Sequence, residues 1–228
     1  MPGGRSRLPV LAELSAPAGT ERIWSLRNSD LERLSGFRGW IGESSAVLVT
    51  GAAEPSRQLA VGLAGVAAAS GRRTALLDCD LGLPRLAVDL GLAPTPGLHE
   101  YLRWEATPAE VLQPLTLTGP AAAAATHPLV CIVAGRPAAD PAVLVGLQSF
   151  RHMTAKLRSA YDLLVLAGPA LGEDGPALEA IAAQADGVLA AVSPAQASGR
   201  RARRALGAAM DRLPAKPLGA VVVADGLA

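Results

Sequence analysis

A doubly wound α/β fold, with a mostly parallel sheet covered by helices on both faces, is what this sequence predicts, and three observations predict it. Six short apolar runs recur along the chain, at Ala46 to Thr50, Thr74 to Asp78, Leu129 to Val133, Leu163 to Leu166, Gly187 to Val192 and Leu218 to Val223. Each is nearly all apolar rather than alternating, as strands are when helices cover both of their faces. Between them lie longer stretches with helical spacing, and that alternation is the mark of repeated strand, helix, strand units around a parallel sheet.

Taken in order, residues 1 to 45 read as an N-terminal arm. Pro2, Gly3, Gly4, Pro9, Pro17 and Gly19 punctuate it, and a helix follows from about Glu21 to Leu34. Residues 46 to 228 then form one domain, since a chain of 228 residues can bury a single large core. Its helices are expected at Gln58 to Ala69, closed by Gly71, and at Leu144 to Ala160, with a basic outer face. Two more follow at Gly175 to Gln184 and Ser198 to Leu213. The alanine run Ala121 to Ala125, between Pro120 and Pro128, reads as a loop insertion or a short exposed helix. Ligands of such sheets bind at the carboxyl ends of the strands. That directs attention to the loops Gly51 to Arg57, Asp78 to Arg85 and Ala167 to Gly175.

Composition narrows the functions. Half of the residues are hydrophobic and 18% are charged, which argues for many buried elements and against disorder. Aromatic residues make up 3%, too few for the stacking platforms of base-reading proteins, so sequence-specific nucleic-acid recognition is disfavoured. A net charge of +1 provides no global field toward nucleic acid or membrane. Cys79 and Cys131 lack ligand-like spacing, and His99, His127 and His152 are scattered, so no metal site is expected. No apolar run reaches the roughly 18 residues of a transmembrane span, and residues 1 to 20 lack the apolar core of a signal peptide. The expectation is a cytoplasmic protein, associated with a membrane through a partner.

The stretch Leu76 to Arg85, LLDCDLGLPR, and the following GLAPTPGLHEYLRWEATPAEVLQPL resemble the second nucleotide motif and next helices of the bacterial tyrosine kinases of capsule and exopolysaccharide systems. Downstream, DPAVLVGLQSFRHMTAKLRSAYDLLVLAGPA resembles that family's NPxELLxSxxFxxLLxxLRxxYDxVIIDTPP, without a gap from Asp140 to Ala170. Upstream, ERIWSLR is similar to the family's ring-assembly motif ExxRxxR, in which Glu21 and Arg27 match and Trp24 replaces the middle arginine. The resemblance spans about residues 8 to 224. It implies a P-loop NTPase-like fold shared with the deviant ATPases of division-site and chromosome-partitioning type, with ATP and magnesium as the family's ligands.

A phosphate loop works because backbone N–H groups point inward, glycines allow the needed angles, and a lysine neutralises charge. Where the family reads GEGKST, this chain reads Ala53, Glu54, Pro55, Ser56, Arg57, Gln58, just after Gly51. Pro55 replaces a glycine, Ser56 the lysine and Arg57 the magnesium-binding hydroxyl. Asp78 and Asp80 match the two acids that, in the family, hold the metal's water shell and orient the attacking hydroxyl. As plain residues, they also suit a strand end and a turn. Ala167 stands where the family's third motif has its aspartate, and Ala224 where relatives have an adenine-contacting asparagine. The C-terminal tyrosine cluster is absent, leaving Tyr101 and Tyr161.

The residues therefore point to a kinase-like module without catalysis and without a nucleotide cofactor, with Asp78 and Asp80 as relics. Its expected partner is a membrane polysaccharide co-polymerase or export protein, and its expected self-association is weak because of Trp24. Two alternatives stand beside this reading: a divergent tyrosine kinase using ATP, magnesium, Arg57, Asp78 and Asp80, and a positioning factor of partitioning type. Arg200, Arg201, Arg203 and Arg204 form a basic cluster on the last long helix. It is either a solvated face or a contact for acidic lipid headgroups or an acidic partner.

Overall fold

A computed structural model describes residues 8–15, 36–116 and 127–224. Eight strands form one sheet in the order β1-β8-β7-β2-β6-β3-β5-β4. They are β1 (Val10–Ser15), β2 (Ala46–Gly51), β3 (Thr74–Asp78), β4 (Gln113–Leu115), β5 (Leu129–Ile132), β6 (Leu163–Ala170), β7 (Gly187–Val192) and β8 (Lys216–Ala224). All pairings are parallel except that of β4 with β5. The six apolar runs are six of these strands, and the mostly parallel, helix-flanked sheet is as expected.

Alternation along the central strands divides the core into two layers. Val47 and Val49 of β2 pack with Leu76, Val165 and Leu189 on one face. Leu48 turns to the other face with Leu77, Leu164, Leu166 and Val188. The first face is covered by α1 (Phe37–Ile41), α2 (Ala53–Ala69) and α3 (Leu86–Leu90). The second carries α4 (Leu98–Leu102), α5 (Pro108–Val111), α6 (Pro141–Gly146), α7 (Gln148–Ala160), α8 (Gly175–Ala182) and, more loosely, α9 (Pro194–Ser198) and α10 (Arg200–Met210).

The arm boundary at residue 45 needs correction. Val10–Ser15 is the edge strand β1, paired with β8 from Val10↔Ala220 to Ser15↔Ala224, and Leu14 is buried. Leu11 packs so closely over Gly219 that a Cβ there would lie 2.6 Å from its Cδ1. Phe37 and Ile41 of α1 are also core residues. The sheet therefore reaches back into the arm, because an edge strand buries one side and its sequence reads as mixed polarity. The helix expected at Glu21 to Leu34 and the alanine run lie outside the described residues.

Helix limits shift as well. The long helix expected at Leu144 to Ala160 is two helices, broken at Leu147, whose φ of −64° and ψ of 149° are extended. Likewise Gly199 separates α9 from α10. The shift with most bearing on function is that α2 begins at Ala53, five residues before the expected Gln58.

Candidate functional site

The candidate site lies at the carboxyl ends of β2, β3 and β6, held in register by the pairs Val49↔Ala167 and Asp78↔Ala167. One residue, Ala52, connects β2 to α2. Gly51 has a φ of +130°, and a Cβ there would lie 2.0 Å from the carbonyl oxygen of Ala191, so only glycine lets the strand turn this close to β7. The Ala52 N–H donates to Ala191 O at 2.9 Å, and the Ser56 N–H donates to Ala52 O at 2.8 Å as the helix's first bond. Pro55 has no N–H and fits in the first turn, where no intrahelical acceptor is needed. Of the residues between Gly51 and Ser56, this leaves only Ala53 and Glu54 with N–H groups free at the helix end.

The side chains of this stretch turn inward or to each other. Ser56, at the lysine position, is buried, and its Oγ donates to Ala53 O at 3.0 Å. Gln58 Nε2 donates to Glu54 Oε1 at 3.3 Å. Arg57 Nε donates to Asp89 Oδ2 at 2.9 Å, with side chains only 18% and 22% exposed. The guanidinium is thereby tethered to α3. Asp89 is a member of the site that the sequence reading missed, since nothing in the sequence links it to a residue 32 positions away.

Asp78 closes β3 with 2% of its surface exposed. Its Oδ1 accepts the Asp80 N–H at 3.2 Å, while Oδ2 has no partner. Burial pushes its carboxyl up to about 7, partly offset by the Asp80 N–H, with the Asp80 carboxylate raising it and Arg57 lowering it. Asp80 Oδ1 accepts the Leu83 N–H at 3.0 Å. Its carboxyl is also raised, by burial first, with Glu173 adding to the effect against a bond from Leu83. Asp80, Glu173 and Asp174 share a recess of about 270 Å³ with Leu81, Pro141 and Pro169. Asp174 is occupied as the N-cap of α8, accepting the Ala177 N–H at 3.1 Å. Among the described residues no group of three or more His, Cys, Asp or Glu is placed to hold a metal ion. Ala167, buried in β6, offers no acid. Such a site can take part in hydrogen bonding and charge pairing.

The structure thus brings Gly51, Ala53, Glu54, Pro55, Ser56, Arg57, Gln58, Asp78, Asp80 and Ala167 to one end of the sheet. Arg200, Arg201, Arg203 and Arg204 stand apart on α10, all exposed. They do not share one face: Arg203 lines a small recess with Leu8, Val10 and Ala220 toward β1. Glu21, Trp24 and Arg27 lie outside the described residues, and Ala224 ends β8. Among the described residues no helix is long and apolar enough to cross a membrane.

No family model and no curated protein matches the sequence. Solved structures do. The kinase domain of the Escherichia coli tyrosine kinase ETK superposes with a TM-score of 0.76 at 15% identity, covering 96% of this chain and 91% of its own. The chimerical protein CapA2B2 gives 0.75 at 18%, covering 95% and 94%. The septum site-determining protein MinD of Pyrococcus horikoshii OT3, complexed with Mg-ADP, gives 0.54 at 16%, covering 78% and 68%. The chain has the fold of the ETK kinase domain and of CapA2B2, and shares a smaller part of it with MinD.

Proposed function

We propose that this chain is a tyrosine-kinase-like domain of capsule or exopolysaccharide systems that does not transfer phosphoryl groups, and that it serves as a scaffolding or regulatory module for a membrane polysaccharide co-polymerase or exporter. The fold likeness to tyrosine-kinase domains over nearly the whole chain supports the first half. The observation that carries the reading of no phosphoryl transfer is the strand-to-helix connection of a single residue, Ala52. A phosphate cradle needs several inward N–H groups and a lysine, and here α2 has taken up the positions that would supply them. Arg57, whose charge lowers the Asp78 and Asp80 carboxyls, is engaged by Asp89.

The module would act in the cytoplasm beside the membrane, reaching it through its partner, with ATP and magnesium dispensable and self-association weak because of Trp24. Titration calorimetry with ATP, with and without magnesium, tests this directly. The expected result is no saturable binding in the micromolar range and no effect of magnesium. Micromolar, magnesium-dependent binding would favour the divergent kinase, the reading for which the pair Asp78 and Asp80 speaks.

A further inference from the structure

Helix α10 is amphipathic in sequence yet scarcely packed, for Met210 is its only buried residue. Of the apolar residues on it and just after it, Ala205 is exposed and Leu206, Ala209 and Leu213 are half-buried. Together with α8 they border an open cleft of about 490 Å³. Leu171, Leu178 and Val192 form its floor, and Ala202, Ala205 and Ala209 its α10 wall.

Shape and charge together define what fits. From Ala202 to Met210 the wall runs roughly 12 Å at 1.5 Å per residue, the length of about two turns of a guest helix. Its alanines, with Gly175 opposite, let a guest backbone come close. The apolar floor is recessed between two helices, so a flat bilayer cannot reach it, and a second copy related by a two-fold axis would set cleft against cleft. Arg212 lines the far end of the cleft, and Arg201 stands one helical turn before Ala205. Among the described residues neither forms an ion pair. The α10 side is therefore a wall of small residues bounded by positive charge, while α8 contributes Glu179 to the cleft.

We propose that the cleft between α8 and α10 is a docking groove for an amphipathic helix of a partner protein, apolar on one face and acidic on the flank that lies along α10. Anchors spaced at i, i+3 or i+4 and i+7 enter between the alanines, and the flank carboxylates meet Arg201 and Arg212, as in other helix-in-groove recognition. The assignment goes beyond the proposed function: Gly51 and Ala52 of the strand-to-helix connection also line the cleft, whereas Asp78, Asp80 and the Arg57 pair do not.

The probes are two synthetic peptides of about 14 residues with the same leucine stripe, one bearing glutamates on its flank and the other lysines. Fluorescence anisotropy is read with the whole chain as wild type, Ala205→Glu, and the double variant Arg201→Glu, Arg212→Glu. Both sites are exposed, and thermal melts verify that the variants fold. The acidic peptide should bind wild type, weaken as salt rises, and lose about tenfold or more in affinity with either variant. The basic peptide should be weaker than the acidic one on wild type. No binding of the acidic peptide, or equal affinity for wild type and Ala205→Glu, overturns the proposal. So does anionic-vesicle binding that Ala205→Glu abolishes, which would give the surface to a bilayer. A dimer in sedimentation that the same variant dissolves would give it to a second copy.

Discussion

Asp78 offers the sharpest test of the site's electrostatics. In the unfolded chain its carboxyl ionises near 3.9, whereas burial in the folded protein pushes it up to about 7. Between those values the folded state holds a proton that the unfolded state has released. Its stabilising contribution is thus fully present below about 3.9 and is lost as pH rises through 7. Three pKa units correspond to about 4 kcal/mol at 1.36 kcal/mol each. Relaxation around a newly charged Asp78, including release of Arg57 from Asp89, brings the expected span down to about 2 to 4 kcal/mol. Asn at this position cannot ionise. Its amide leaves an unpaired N–H where Oδ2 now stands, a cost that does not vary with pH. Urea unfolding of wild type and Asp78→Asn between pH 5 and pH 8 separates the two effects. The stability gap should move in favour of Asn by about 0.5 to 2.5 kcal/mol across that range, since about 1.5 kcal/mol of the span falls between pH 3.9 and pH 5. A gap that stays constant would show that Asp78 ionises normally in the folded protein, and the account of a buried, unpaired carboxyl would fail.

Two further outcomes follow from the same packing. Arg57→Met should destabilise the fold by about 1 kcal/mol, since the pair with Asp89 is only partly shielded from water. It should also move the Asp78 transition to higher pH by removing a nearby positive charge, and an unmoved transition would place Arg57 elsewhere. Gly97→Ala would set a Cβ 2.4 Å from Val133 O and 2.5 Å from Gly135 N, both backbone atoms. It should cost about 2 kcal/mol or more as an overpacked substitution. Gly39→Ala, with nothing within 4 Å, should be neutral or stabilising. Equal urea midpoints for these two alanine variants would contradict the contact geometry.

What the sequence revealed of the fold depended on burial. The six strands with helices on both faces are continuous apolar runs, and those could be read directly. The two that escaped notice lie at the sheet's edges. In β1, Glu13 is exposed between half-buried Ala12 and buried Leu14, and β4 has three residues with an exposed proline. An edge strand buries little, so its sequence carries little of the signal. The break at Leu147 was likewise hidden, because Leu144, Val145 and Phe150 remain buried on both sides of it and keep the helical rhythm.

The site was legible in one respect and closed in another, and the difference has a physical source. That no lysine or carboxylate stands at Ser56 and Ala167 is a matter of residue identity, which sequence gives outright. What replaces a phosphate loop is a matter of backbone path. Pro55 argued against a cradle, but it was equally suited to a first helical turn, and only the structure decides between a distorted loop and a longer helix. The helix forms because the Ser56 N–H finds Ala52 O while Ala52 itself is drawn to Ala191 O, so the strand end and the helix start share one anchored residue. Arg57 is then held by Asp89 on α3, near enough to the strand-end acids to lower the Asp78 carboxyl, a partner fixed by how α2 and α3 cover the same sheet face. Restoring a lysine at residue 56 would accordingly place its ammonium in the buried position that Ser56 now fills, not above a cradle.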